Sequence, residues 1–170
     1  MAGCARFTQP LVAQTRRCRV PDRIERQILI DAPVDVVWAV LTEPEHISGW
    51  FSDSVELDLR PGGKAVLVWD GHGTVNGRVE RVEPPRVFSF RWGPAPGLDL
   101  TDDNATLVEF ILSPEGEATR LTVVESGFAG LRGSDDEKQR HVDGHRRGWE
   151  LELGDLDRYV AQQAGAPVDR

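Results

Sequence analysis

Between residues 53 and 126 the chain repeats one pattern six times, a short segment with apolar residues at alternate positions followed by a turn. A period of two is typical of strands, and the turns carry the Gly, Pro and Asp residues that end strands. Parallel neighbours need a crossover of about a dozen residues, so these short connections predict antiparallel strands in a single meander. The predicted strands are 54–59, 64–70, 74–83, 86–92, 105–112 and 118–126.

The segment after the last strand is predicted to be a long amphipathic helix, from about 135 to 163. Ser134 and the three acidic residues that follow it supply an N-cap and a favourable charge for the helix dipole. Five large apolar residues share one face of this helix: Val142, Trp149, Leu153, Leu156 and Val160. The sheet has one apolar face to cover, and this helix is long enough to cover it. Gly144, Gly148 and Gly154 interrupt the helix, which predicts a close approach to the sheet or a bend.

The residues before the meander predict one more strand and two short helices. Residues 24–31 form a strand bounded by charge, Pro33 opens a helical apolar pattern, and a second short helix begins at Pro44 and ends at Trp50. This order predicts an α+β helix-grip fold in one domain, residues 23–165. In such a fold a curved antiparallel sheet of about seven strands wraps around the long C-terminal helix, and the two short helices follow the first strand.

Residues 1–22 differ in character from the rest of the chain. They are rich in Arg, have no hydrophobic period, and contain both cysteines, Cys4 and Cys18. Low hydrophobic content predicts a disordered and dispensable leader. Two cysteines in such a segment form no disulfide framework, which favours a reducing, cytoplasmic location. The excess of Arg over Lys suggests a GC-rich bacterial genome.

The net charge of −8 lies on the body of the chain, because the leader is basic. An acidic surface repels phosphate backbones, which argues against nucleic-acid binding. No apolar run approaches the roughly 20 residues that cross a bilayer, so no membrane insertion is expected. Phosphate-loop, dinucleotide-fold and nucleophile-elbow glycine patterns do not occur, and no cofactor is expected.

Several motifs occur in the order found in one family. The run Ile30–Trp38, followed by Thr42–His46 and Trp50-Phe51, resembles the opening motif of the START-like (SRPBCC) superfamily. Within it, the run is similar to the branch named for activators of the heat-shock-protein-90 ATPase. Five later motifs are similar to the same branch: Pro61-Gly62-Gly63, Gly77–Pro85, Phe90-Arg91-Trp92, Glu125–Phe128 and Gly148-Trp149. The resemblance covers residues 24–163.

This resemblance implies a deep apolar cavity between helix and sheet that holds lipids, polyketides or similar molecules. Members of the superfamily include binding proteins, cyclases and co-chaperones, so the fold does not decide the chemistry. The eukaryotic chaperone activators carry a separate chaperone-binding domain, which residues 1–23 of this chain do not supply. We therefore expect a protein that binds a small hydrophobic or aromatic molecule, as a monomer or homodimer. The alternatives are a cyclase or dehydratase and a chaperone-associated interaction module.

Residues that face the predicted interior are the candidate ligand-binding residues. Tryptophan suits such a place, because it combines a large apolar ring with one N–H donor, and ligand pockets are mostly apolar with few polar groups. The candidates are Trp50, Phe51, Leu67, Trp69, Phe90, Trp92, Phe110, Val123, Glu125, His145 and Trp149. Trp149, in the middle of the helical stripe, is expected at the centre of the cavity.

Two of these candidates are ionisable. Glu125 shares a strand face with Leu121 and Val123, so burial is expected to raise its pKa and suit it to acid–base chemistry, unless solvent or an Arg reaches it. His145 interrupts the helical stripe and is either a core-edge histidine or an acid–base group at the cavity mouth. These two are the catalytic candidates of the enzyme alternative. His141 lies four residues before His145, but no third ligand is in view, so no metal site is predicted.

Overall fold

The structure, a computed structural model, describes residues 19–93 and 95–165. Its elements are β1 (Arg23–Ile30), α1 (Val34–Thr42), α2 (Pro44–Ile47), β2 (Ser54–Leu57), β3 (Lys64–Trp69), β4 (Gly73–Glu83), β5 (Val87–Trp92), β6 (Thr106–Glu115), β7 (Ala118–Ser126) and α3 (Asp135–Gly165). Every predicted strand and helix is present within a few residues of its predicted bounds. Among the described residues, no helix combines the length and the apolar character that a membrane span requires.

All seven strands form one antiparallel sheet with the order β1-β7-β6-β5-β4-β3-β2. Strands β2 to β7 are the predicted meander, and β1 pairs with β7 at the opposite edge from β2. The α+β helix-grip fold is thus confirmed. Trp92 pairs with Thr106 across β5 and β6, and Val108 pairs with Glu125 across β6 and β7. Because paired residues share a face and faces alternate along a strand, Trp92, Thr106 and Glu125 all lie on the face that α3 covers.

The N-terminus of α3 is closed by a capping box. The Ser134 hydroxyl accepts a hydrogen bond from the Glu137 amide at 3.3 Å, and the Glu137 carboxylate accepts one from the Ser134 amide at 2.7 Å. The two contacts satisfy the backbone amides of Ser134 and Glu137, which have no partner within the helix at its start. All five residues of the predicted stripe are buried against the sheet. The helix therefore begins and packs as its sequence pattern predicts.

Gly144, Gly148 and Gly154 do not serve the close packing that is one of the two roles predicted for them. A side chain added at Gly144, Gly148 or Gly154 would meet no heavy atom within 4 Å, so none of them permits a close approach to the sheet. The predicted packing role is wrong. Gly144 and Gly148 instead border an open cleft, which their missing side chains leave unfilled.

The last residues of the predicted leader pack against the domain. Val20 is buried with the core residues. Asp22 accepts hydrogen bonds from the backbone amides of Gly127 and Ala129, through its carbonyl oxygen at 3.1 Å and its carboxylate at 2.8 Å. Cys4, Cys18 and the rest of residues 1–18 lie outside the described residues.

These contacts determine which N-terminal truncations lower the stability of the domain. We expect a chain that starts at Arg19 to keep the melting temperature of the full chain. A chain that starts at Arg23 loses the burial of Val20 and both contacts of Asp22, and its free energy of unfolding should fall by about 2–3 kcal/mol. Thermal and urea unfolding of the two truncations measure the difference. Equal stability of both would mean that residues 19–22 contribute nothing to the fold.

Candidate functional site

The most distinctive feature of the interior is the carboxylate of Glu125, a residue that is only 1% exposed near the end of β7. Its Oε1 accepts hydrogen bonds from the Trp92 indole at 2.9 Å and from the Thr106 hydroxyl at 2.5 Å. Its Oε2 accepts one from the Trp149 indole at 2.7 Å. The Nδ1 atom of His145 lies 2.9 and 3.0 Å from the two oxygens. A buried charge is tolerated when it is paired and fully hydrogen-bonded, and four donor groups meet this condition here.

This network determines how Glu125 ionises. Burial has the largest influence and raises the pKa of the carboxyl, but the hydrogen bond and charge of His145 and the hydrogen bonds of Thr106 and Trp92 together lower it below its ordinary value of 4.5. The predicted rise in pKa is therefore wrong, and so are the predicted alternatives of solvent or an Arg partner. Since a carboxylate only accepts hydrogen bonds, the Nδ1 atom of His145 carries the hydrogen.

Above the carboxylate network lies a cleft of about 190 Å³ between α3 and the sheet. It is lined by Phe51, Trp69, Trp92, Gly144, His145, Gly148, Trp149 and Glu152. His145 is 22% exposed here, whereas the Glu125 side chain beneath it has no exposed surface. A molecule in the cleft would therefore contact His145 and the aromatic rings, and reach Glu125 only through them.

The aromatic rings around the cleft form a continuous cluster centred on Phe51. Its ring is stacked on Trp149 at 5.7 Å between centroids and 10° between planes, and on Trp92 at 5.9 Å. The Trp69 indole donates a hydrogen bond to the Phe51 carbonyl at 2.8 Å, which holds the backbone of this residue in place. The Phe51 ring thus occupies the space between the sheet and α3.

Beneath Phe51 the interior is almost filled. A second cavity, lined by Trp50, Leu67, Phe90 and Phe110 among others, has a volume of only about 20 Å³. A water molecule requires about that much room. The interior cavity is therefore far too small for a lipid in this conformation, and the space that a ligand can enter is the outer cleft.

The predicted site residues divide between these two spaces. Five of them line the outer cleft: Phe51, Trp69, Trp92, His145 and Trp149. Trp50, Leu67, Phe90 and Phe110 line the inner cavity with Phe51, and Val123 is buried in the core. Glu125 lies under the cleft, and its hydrogen bonds orient three residues of the cleft wall.

Sequence reasoning missed the site roles of Thr106, the two cleft glycines and Glu152. Thr106 lies in the predicted strand 105–112, but its role depends on its strand pairing with Trp92, which no local pattern indicates. Glu152 had a detectable signal: it follows His145 by seven residues and Trp149 by three, so all three lie on one side of α3. Burial raises the pKa of Glu152 to about 7. Among the residues that the structure describes, its carboxylate has no hydrogen-bond or ion-pair partner.

A wider groove of about 620 Å³ adjoins the cleft at Phe51, Trp69 and Glu152. Its wall includes Asp53 and, on α3, Asp155, Arg158 and Tyr159. Asp155 forms an ion pair with Arg158, so this pair adds no net charge to the groove.

His141 and His145 stand as neighbours on α3, with ring centroids 6.1 Å apart. Burial lowers the pKa of His141, and the nearby charges of His145 and Arg140 lower it further. Within residues 19–93 and 95–165, no group of three His, Cys, Asp or Glu side chains is arranged to hold a metal ion.

The sheet wrapped on α3, with an aromatic cleft above a buried carboxylate, defines a START-like helix-grip domain. The family model described as "Activator of Hsp90 ATPase homolog 1-like protein" matches residues 31–161, well over half of the chain. The chain belongs to this family, which confirms the resemblance seen in its motifs.

Solved structures share the fold. MLL2253 from Mesorhizobium loti is 24% identical with a TM-score of 0.70, and the match covers 82% of this chain and 97% of that one. CalU16 from Micromonospora echinospora is 30% identical with a TM-score of 0.61, covering 81% and 73%. DynU16, a protein of the dynemicin biosynthetic locus, is 25% identical with a TM-score of 0.66, covering 83% and 48%.

A shorter similarity links the chain to a curated enzyme. The bifunctional enzyme NanE/NanK of Brucella melitensis biotype 1 is 38% identical over 74 residues. This match covers 44% of the chain but only 14% of the enzyme, so the chain spans a small part of that relative's length. The activities in the enzyme's name are not assigned to this chain.

Proposed function

We propose that this protein binds a small, largely apolar molecule in the cleft between α3 and the sheet. The observation that carries the proposal is an aromatic wall of Phe51, Trp69 and Trp92 opposite a helix that contributes Trp149 but lacks side chains at Gly144 and Gly148. Each glycine within a helix costs about 1 kcal/mol relative to Ala. Gly144 and Gly148 carry this free-energy cost on the same face of the helix, and no other side chain fills the space beside them. A ligand that occupies this space would explain why the two glycines are there.

The size of the cleft limits the ligand in the present conformation. About 190 Å³ suits a molecule of one or two rings, and a longer ligand would extend into the adjoining groove. Movement of the Phe51 ring would join the cleft to the inner cavity and admit a deeper ligand. The location of DynU16 in a biosynthetic locus is consistent with small-molecule binding in relatives of this fold.

The proposal is tested by filling the cleft from the helix. We expect Gly148→Leu to fold with a higher helix propensity and to weaken binding of the neutral probe N-phenyl-1-naphthylamine at least about tenfold, the equivalent of 1.4 kcal/mol. Gly154→Leu is the matched control, because Gly154 lies on the same helix but borders a different groove, beside Arg26 and Leu29. Probe fluorescence measures binding, and thermal unfolding confirms that both variants fold.

Unchanged probe binding in Gly148→Leu would show that the cleft is not the binding site. If that variant does not fold, Gly148→Ala provides the same comparison with a smaller side chain. Probe binding that falls equally in both leucine variants would also contradict the proposal, because the effect would then not depend on the cleft.

A second candidate function is supported by the geometry of His145. Its Nδ1 atom is held by Glu125, so the other ring nitrogen is the one available to accept or donate a proton. Histidines oriented in this way by a carboxylate act as general bases and acids in many enzymes. In this alternative the protein is a cyclase or dehydratase, His145 is the acid–base group, and Glu125 positions it without contacting the ligand. Turnover of a bound molecule, abolished in His145→Ala while binding remains, would favour the enzyme over the binding protein.

A further inference from the structure

We propose that the ligand is a small organic cation, an ammonium group attached to an apolar or aromatic body, held by Glu152 and the aromatic wall of the cleft. This inference rests on the proposed function, since it assigns a chemical class to the ligand of the same cleft. It follows from three observations: an uncompensated carboxylate, the pairing of the basic side chains nearby, and the ring surfaces beside the carboxylate.

The first observation is the isolation of Glu152. It lies on the border between the cleft and the groove, half-buried, and none of the described residues donates a hydrogen bond or an ion pair to it. A half-buried carboxylate without a partner is unfavourable when ionised. A cationic ligand would supply the missing partner at the moment it binds.

The basic side chains that face this region are already paired. His145 and Glu125 pair with each other, and Asp155 pairs with Arg158. The carboxylate of Asp53, on the wall of the adjoining groove, accepts a hydrogen bond from the neutral Asp70 amide at 2.6 Å and has no basic partner among the described residues. Within the part of the chain that the structure describes, the basic side chains of the cleft and groove walls are His145 and Arg158, and both are engaged with partners other than Glu152. The chain as a whole is acidic, with a net charge of −8.

The third observation is the aromatic surface of the cleft, to which Phe51, Trp69, Trp92 and Trp149 contribute. The faces of aromatic rings attract cations, and tryptophan does so most strongly. Such a contact contributes about 0.5–2 kcal/mol, depending on how far the cation is desolvated. A neutral apolar ligand would gain ring contacts but leave Glu152 without a partner, whereas an anion would be repelled.

Proton linkage follows from this arrangement. Burial raises the pKa of Glu152 to about 7, so the carboxyl is largely protonated in mildly acidic solution. A cation binds better to the ionised form, and its affinity should therefore rise as the pH increases through about 7 and then level off. The affinity for a neutral ligand should fall slightly as the pH rises through this range, or not change.

The test uses three probes with one shared ring: benzyltrimethylammonium, benzyl alcohol and phenylacetate. Tryptophan fluorescence of the full chain reports binding of each. At slightly alkaline pH we expect the quaternary ammonium to bind about tenfold more tightly than the alcohol, and phenylacetate to bind more weakly than either. The fixed charge of the ammonium ensures that any pH dependence comes from the protein.

Glu152→Gln should lower the affinity for benzyltrimethylammonium about fivefold to tenfold, remove its pH dependence and leave benzyl alcohol unchanged. Glu150→Gln is the matched control: it removes the same charge from the same helix, but Glu150 is exposed and pairs with Arg26 on another side. If both variants weaken the cation equally, only general charge acts and the inference is overturned. Equal binding of cation and alcohol by the parent overturns it too, while leaving the binding cleft intact. Binding of none of the three probes counts against the cleft as well.

Discussion

Replacing Glu125 by Ala should lower the free energy of unfolding by about 3–5 kcal/mol, because each buried donor left without an acceptor costs about 1–3 kcal/mol. The substitution leaves the Trp92 and Trp149 indoles, the Thr106 hydroxyl and the His145 imidazole without their common acceptor. For a domain of this size the change corresponds to a decrease in melting temperature of about 10 °C. Urea unfolding followed by tryptophan fluorescence measures the loss directly.

The loss should depend on pH in a defined direction. The folded pKa of Glu125 is lower than its ordinary value of 4.5, so the ionised network contributes stability above that pH and loses it as the pH falls through the folded pKa. Glu125→Gln keeps the shape but has no such ionisation. The stability difference between the parent and Glu125→Gln should therefore be constant near neutral pH and shrink in acid.

Glu109→Ala is the control for this experiment. Glu109 lies on β6, next to Val108, the cross-strand partner of Glu125, and its side chain is on the opposite face of the sheet. We expect a change within about 0.5 kcal/mol for Glu109→Ala. If Glu125→Ala were no more damaging than this control, the network would not contribute to stability. The hydrogen bonds to Glu125 would then only offset the free-energy cost of removing the bonded groups from water.

The fold was accessible from the sequence because its signals are local and repeated. A period of two with turn residues between segments identifies antiparallel strands, as in Phe88, Phe90 and Trp92 on β5, and each added strand reinforces the same meander. The α3 stripe and the Ser134–Glu137 cap are similarly local, and both are found in the structure. The family motifs independently indicate the same helix-grip fold, and the family match over residues 31–161 confirms the family.

The site was accessible only in part, because it depends on contacts between distant segments. The sequence shows the acceptor Glu125 as a charge on an apolar face, but its donors come from positions 92, 106, 145 and 149. Which donors meet it depends on strand register and on the rotation of α3, and neither is encoded in a local pattern. The sign of the pKa shift depends on those donors, so burial alone predicted it wrongly.

The same limit applies to the size of the cavity. The residues of its wall were correctly placed on inward faces, but the remaining volume depends on how closely their rings approach. Phe51 stacks on both Trp92 and Trp149, and this packing reduces the interior to about 20 Å³. The glycines of α3 illustrate the converse case: the sequence shows where side chains are missing but not whether a neighbour fills the space.

Replacing Trp149 by Ala should be about as damaging as removing Glu125. From the sequence alone a moderate loss is predicted, because a residue at the centre of an open cavity has few neighbours on one side. In the structure Trp149 is 3% exposed, its ring lies against Phe51 and Phe110, and its indole donates to Glu125 at 2.7 Å. We therefore expect the full loss of about 3–5 kcal/mol for truncating a buried Trp, together with weaker probe binding in the cleft. Chemical denaturation and probe titration of the same preparation measure both effects.

Trp149→Phe separates the packing of this residue from its hydrogen bond, and Trp50→Phe is its control. The Trp50 indole donates to a neutral group, the Val40 carbonyl, at 3.2 Å, whereas that of Trp149 donates to a carboxylate. Hydrogen bonds to charged groups contribute about 1.5–3 kcal/mol, against about 0.5–1.5 kcal/mol for neutral pairs, so Trp149→Phe should be the more destabilising of the two at neutral pH. As acid protonates Glu125, the free-energy cost of Trp149→Phe should fall to that of a neutral hydrogen bond. The cost of Trp50→Phe should not change with pH. Parallel pH profiles for the two variants would show that the indole of Trp149 does not act through the charge of Glu125.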